Sequence, residues 1–185
     1  MSWWLRNDTM IDKKRVDEAK RNFERYLNEG MIKKERNEAA YFTYLRNSDL
    51  SLRVAEKLIK DELKPWLWVI VCSYYSMFYA ANAVFLKLGY KTGKSLVHQV
   101  TSDALIVLVL SRLKKELIEE YEKIMKDALE IASARAEEVI KNFDYEKEKR
   151  SGFQYDMNEE IKEGKARTSL QRAKEFVFEM KKLLR

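Results

Sequence analysis

From Pro65 to Leu86 the chain reads PWLWVIVCSYYSMFYAANAVFL without a single charge, while on both sides of this run apolar residues return every three or four positions among Lys, Glu and Arg. A period near 3.6 predicts helices that bury one stripe, and an unbroken apolar run predicts a helix covered on all sides or one that crosses a bilayer. The run has the length of a span, about 20 residues. Yet Ser73, Tyr74, Tyr75, Ser76, Tyr79 and Asn82 fall inside it, and lipid offers their hydroxyl and amide groups no partners. Neighbouring helices do. The expectation is therefore a buried central helix over 65–88, with no membrane involved.

The flanking pattern supplies the remaining elements. Thr9-Met10-Ile11-Asp12 is a helix start signal, and Ile11, Ala19, Phe23, Tyr26 and Leu27 form one stripe until Gly30 closes a helix over about 9–29. Ala39, Phe42, Leu45, Leu52, Ala55, Leu58 and Ile59 mark a second helix over about 38–62. Pro65 suits the first turn of the central helix, and Gly89 ends it. Residues 89–95, GYKTGKS, lack the spacing of a phosphate-binding loop and read as a solvated turn. The LIVLVL run within 95–110 is read as buried helix, because a lone strand would have nothing to pair with. A long helix follows over 114–149, with Leu117, Tyr121, Ile124, Ala128, Ile131, Val139 and Phe143 on one stripe. The pattern breaks around Gly152, and a last helix after Gly164 carries Ala166, Leu170, Ala173, Phe176, Val177, Met180 and Leu183. The fold class is all-α: one domain over 1–185, an up-and-down bundle of four to five core helices with an extra N-terminal helix within 1–30.

Composition narrows the chemistry. The 36 Lys plus Arg against 30 Asp plus Glu give +6, compatible with a polyanionic partner, although both signs are interspersed throughout. The single cysteine, Cys72, excludes a disulfide framework, and the N-terminus turns charged too early for a signal peptide, so a cytoplasmic location is expected. His98 is the only histidine. A Ser-His-Asp site with a G-x-S-x-G elbow is absent, and one His with one Cys cannot build a nitrogen and sulfur metal shell, so neither metal nor cofactor is expected. Aromatics at 12%, with Trp3 and Trp4 ahead of the first helix, exceed what one small bundle readily buries and point to a homodimer.

Two local patterns remain: Ser73-Tyr74-Tyr75-Ser76-Met77-Phe78-Tyr79-Ala80-Ala81-Asn82-Ala83, and Arg150-Ser151-Gly152-Phe153-Gln154-Tyr155-Asp156. Together they resemble the HEPN family, in particular the small prokaryotic branch found near nucleotidyltransferases. Its members carry a tyrosine-pair segment followed by Met-Phe and alanines, then an Arg motif before the closing helix. Tyr41 to Leu58 is similar to the family's first core helix, and Arg25 to Lys33 to its lead-in. The resemblance covers roughly 20–185. It implies a dimeric bundle in which the central helix and the Arg motif of both copies meet in a cleft, with a minimal nucleotidyltransferase as partner in a toxin–antitoxin-type pair. Ribonucleases of the family cut RNA without a metal, an arginine steadying the phosphate and a histidine moving the proton.

Here Arg150 matches the arginine, but Tyr155 stands where the histidine belongs, and a phenol with an ordinary pKa of about 10 is a poor base at neutral pH. The expectation is thus a module that binds RNA or a nucleotide through Arg150, Asn82, Tyr75, Lys94, His98 and Asp156. The alternative is a metal-independent endoribonuclease using Arg150 with Tyr155, or with His98 from across the dimer; a purely structural helical dimer is the third. Each residue also has a plainer role. Arg150 can cap the long helix or pair with Asp156, Tyr155 can be packing, Asn82 can belong to a buried network, and His98 can be a hydrogen-bonded surface residue.

Overall fold

A computed structural model describes residues 11–143 and 159–185. Arg150, Tyr155 and Asp156, with Trp3 and Trp4, lie outside them. Among the described residues, six helices and two short strands follow in the order α1 (Lys13–Asn28), β1 (Ile32–Lys34), α2 (Glu38–Leu58), α3 (Trp66–Lys87), β2 (Tyr90–Thr92), α4 (Val97–Leu108), α5 (Lys115–Phe143) and α6 (Glu159–Lys182). The protein is predominantly helical, as its sequence pattern predicts.

Local chemistry sets the boundaries. Asp12, rather than Thr9, caps α1 by accepting from the Arg15 backbone N–H at 2.7 Å, so the helix opens three residues later than its start signal suggests. Ile11, already buried ahead of it, donates its backbone N–H to Glu119 on α5 at 2.9 Å. Asn37 caps α2 through Ala40 at 2.8 Å. Gly30 and Gly89 have φ of 72° and 88°, the left-handed conformation that ends α1 and α3. Gly164 does not precede α6 but lies within it, exposed, where a helix tolerates it at a cost of about 1 kcal/mol.

Four helices form an antiparallel core. Tyr44 meets Tyr79 and the Ser48 hydroxyl donates to the Ser76 carbonyl at 2.8 Å, so α2 and α3 run in opposite directions. Glu56 pairs with Lys174 and Asp49 with Lys181, placing α6 antiparallel to α2; Asp127–Lys165 and Glu120–Arg172 do the same for α5 and α6. Small residues bring α2 against α3, since Ser48 and Ala55 are the buried residues of α2. Phe42, expected on that stripe, is 58% exposed. Apolar residues sit on both faces of α2, and a single-stripe reading merges them.

The central helix α3 is the axis. It is long and apolar enough to cross a bilayer, but 78% of its most apolar window is buried inside the protein. The pair α1 and α4 packs beside the bundle, and Ala19, Phe23 and Tyr26 join the same core as Tyr74, Tyr121 and Phe176. An ion cluster fastens the pair to α5. Arg15 reaches Asp103 at 2.6 Å and Glu122 at 2.7 Å, while Asn22 and the Tyr26 hydroxyl donate to the second Asp103 oxygen at 3.0 and 2.9 Å.

The strands are an addition to the expected fold. Part of the anticipated 89–95 turn is β2, which pairs antiparallel with β1 in the register Ile32↔Thr92, Lys33↔Lys91, Lys34↔Tyr90. Lys91 is tied to Glu35 at 2.7 Å.

Candidate functional site

Apart from Leu67 and Lys87 near its ends, all but one stripe of α3 is buried. The stripe Trp68, Cys72, Tyr75, Tyr79 follows helical spacing; Trp68 is 53% exposed and the other three are half-buried. Tyr44 of α2 stacks on Tyr79 with centroids 6.1 Å apart and planes 26° from parallel. Tyr75 lies 5.9 Å from Tyr79 and meets the half-buried His98 ring edge-on at 6.1 Å. An otherwise enclosed helix thus reaches the surface through a row of rings.

His98 stands in the first turn of α4. Its Nδ1 is 2.6 Å from the Tyr74 hydroxyl, and its ring also packs on Phe78 at 5.2 Å. Burial pushes the Tyr74 phenol far above its usual range, so it keeps its proton. Burial pulls the His98 pKa down, so the imidazole is neutral at neutral pH. Tyr74 and His98 thus meet as two neutral groups, either of which can donate in this bond. Behind it, the Tyr121 hydroxyl lies 3.5 Å from that of Tyr74, and Tyr121 stacks on Phe176 at 5.5 Å. Rings therefore run without a break from Tyr44 at the surface to Phe176 in the core.

The residues anticipated from sequence divide. Tyr75 and His98 are in contact on this face. Lys94 is exposed in the turn before α4, four residues ahead of His98. Between them Leu96 heads α4 with φ of 48°, a conformation bulky residues rarely adopt. Asn82 faces the interior instead: it is 1% exposed, its Nδ2 donates to the Phe78 carbonyl at 2.9 Å and to Thr101 at 3.3 Å, and its Oδ1 accepts from Thr92 at 2.5 Å. It joins α3, α4 and β2 rather than meeting a ligand. Arg150, Tyr155 and Asp156 lie outside the described residues.

Two arrangements escape sequence reasoning. The Tyr74–His98 pair joins residues 24 positions apart, with no local signal linking them. Asp103 does leave a trace, being the one charge amid the apolar residues of α4, and such a charge implies a buried partner. Nothing in the sequence names Arg15 as that partner. Among the described residues no cluster of three or more His, Cys, Asp or Glu side chains is placed to hold a metal ion. Compared with known protein families, with curated proteins and with solved structures, the chain matches none.

Proposed function

We propose that this chain is a cytoplasmic HEPN-like module that binds single-stranded RNA or a nucleotide as a homodimer, and that it partners a minimal nucleotidyltransferase in a toxin–antitoxin-type pair. The observation that carries the binding role is the half-exposed row Trp68, Tyr75, Tyr79, Tyr44, with the His98 ring at its side. Rings that reach solvent in a line offer π-faces to successive bases, each worth about 1–3 kcal/mol. The net charge of +6 adds attraction for phosphate, and Lys94 is exposed four residues ahead of His98. The family resemblance adds Arg150 as a phosphate contact and the twofold cleft as the place where two rows meet. Binding is favoured over cleavage because Tyr155 stands where the family's histidine belongs, and the lone imidazole, His98, is already engaged by Tyr74.

The test is a labelled single-stranded RNA titrated with wild type, Trp68→Ala/Tyr75→Ala and Arg150→Ala in EDTA, with product analysis on a denaturing gel. Binding without cleavage is expected. Losing two stacking faces should weaken it by at least about tenfold. Equal affinity of the double variant would remove the row from the site, and cleavage by wild type but not by Arg150→Ala would make the protein a ribonuclease. Sedimentation showing a concentration-independent monomer would refute the dimer.

A further inference from the structure

The side of α2 turned away from the core carries an arrangement that the RNA-binding role does not use. Phe42, Arg46, Leu50, Arg53, Val54 and Lys57 recur at three- and four-residue spacing, and all six are exposed. They line one side of the helix over about 22 Å at 1.5 Å per residue. Arg46, Arg53 and Lys57 make no ion pair or hydrogen bond with any described residue. The nearest acids in α2, Asp49 and Glu56, sit at the edge of this face and are paired with Lys181 and Lys174 of α6. The surface is thus cationic and apolar, with its neighbouring carboxylates neutralised. Across that seam Phe178 is 60% exposed, with the Lys182 ammonium, itself paired with Glu179 at 2.7 Å, 4.4 Å from its ring centroid, so the apolar surface continues onto α6.

Interleaving decides the occupant. A nucleic acid would use the cations, but Leu50 and Val54 have nothing to offer a phosphate or a base edge. A bilayer selects helices whose cations flank an apolar stripe, whereas here Arg46 and Arg53 stand between Phe42 and Leu50 around the helix. Twofold pairing with a second copy would lay the three cations against the same three cations. What satisfies every group is a helix with carboxylates alternating with apolar side chains, the carboxylates meeting Arg46, Arg53 and Lys57 and the apolar groups covering Phe42, Leu50 and Val54. We propose that the outer face of α2 docks a protein partner through an acidic amphipathic helix. The proposal is independent of RNA binding, whose ring Tyr44 lies on the flank of α2 that meets α3.

The test uses the full chain and a fluorescein-labelled synthetic peptide of about 18 residues, five helical turns, with Glu and Leu at three- and four-residue spacing. Its counterpart carries Lys for Glu. Anisotropy at low salt should show wild type binding the acidic peptide and not the basic one. Arg46→Glu/Arg53→Glu/Lys57→Glu, altered only at exposed positions, should lose at least about tenfold for the acidic peptide and gain the basic one. Leu50→Ser/Val54→Ser should weaken the acidic peptide without gaining the other, and Trp68→Ala/Tyr75→Ala should bind it as wild type does. Absence of binding at about 1 mM peptide overturns the proposal. So does affinity unchanged by the reversal. If the reversal abolishes RNA binding, anionic-vesicle binding or dimer formation while leaving peptide affinity intact, the face belongs to that occupant instead.

Discussion

Arg15→Met is the sharpest probe of how the fold is held. The guanidinium bonds Asp103 at 2.6 Å, Glu122 at 2.7 Å and the Ser102 hydroxyl at 3.3 Å, and the two carboxylate side chains are only 2% and 10% exposed. Removing the one cation leaves two anions facing each other out of water, a loss of about 3–5 kcal/mol. The lower end applies, because Asp103 keeps its donors Asn22 and Tyr26, and Glu122 keeps Ser102 at 2.5 Å. Against a total stability of about 5–15 kcal/mol, this is a large fraction.

The loss should depend on pH. Burial already raises the Asp103 pKa above its ordinary value despite Arg15, and without Arg15 it rises further. A carboxyl whose folded pKa is raised binds a proton in the folded state before the unfolded chain does, so stability grows as pH falls through that folded pKa. Urea melts followed by circular dichroism at pH 7 and pH 5 should therefore show the deficit shrinking at the lower pH, by about 1.4 kcal/mol per unit of extra shift. The variant Arg15→Met/Asp103→Asn/Glu122→Gln, with no charge left in the cluster, should recover most of the loss at pH 7. A single-variant deficit below about 1 kcal/mol, or one equal at both pH values, would mean that water screens the cluster as it does a surface pair, and the reasoning would fail.

Two further outcomes follow from the site. The His98 pKa is lowered by burial, so its contribution is fully present above the ordinary value of about 6.5 and is lost as pH falls through the folded value; His98→Asn, which keeps an acceptor for Tyr74, should flatten the stability slope below pH 6.5, and an unchanged slope would place the titration elsewhere. Asn82→Ala leaves the buried hydroxyls of Thr92 and Thr101 without their amide partner and should cost about 1–3 kcal/mol, with hydrogen exchange of β1 and β2 amides accelerated more than that of α5; uniform acceleration would deny that Asn82 secures the strands.

How much of this is legible in the sequence follows from range. The unbroken run of α3 needs only hydropathy, and Gly30 and Gly89 end helices because each adopts the left-handed backbone within its own turn. The strands are hidden because three residues of Ile, Lys, Tyr and Thr carry no period, and their pairing spans two helices. Phe42 misleads because α2 is apolar on its outer face too, and Ser48, a polar residue, lies at the buried contact. At the site, Tyr75 and His98 stand out as residue types in an aromatic segment and as a lone imidazole. Their relation through Tyr74 exists only after α4 folds back onto α3. The same folding turns Asn82 inward, because Thr92 and Thr101 arrive from two other elements.

The strand pair also closes the α2–α3 hairpin into a ring. The chain enters at Ile32 and leaves at Thr92, and these two residues face each other. A force that draws the entering and leaving segments apart therefore peels the ladder like a zipper instead of sliding it, opening first the Gly93 N–H to Met31 carbonyl bond and then the Ile32–Thr92 rung. That second rung is the one Asn82 grips through the Thr92 hydroxyl, so a side chain on the central helix acts as the latch of the ring.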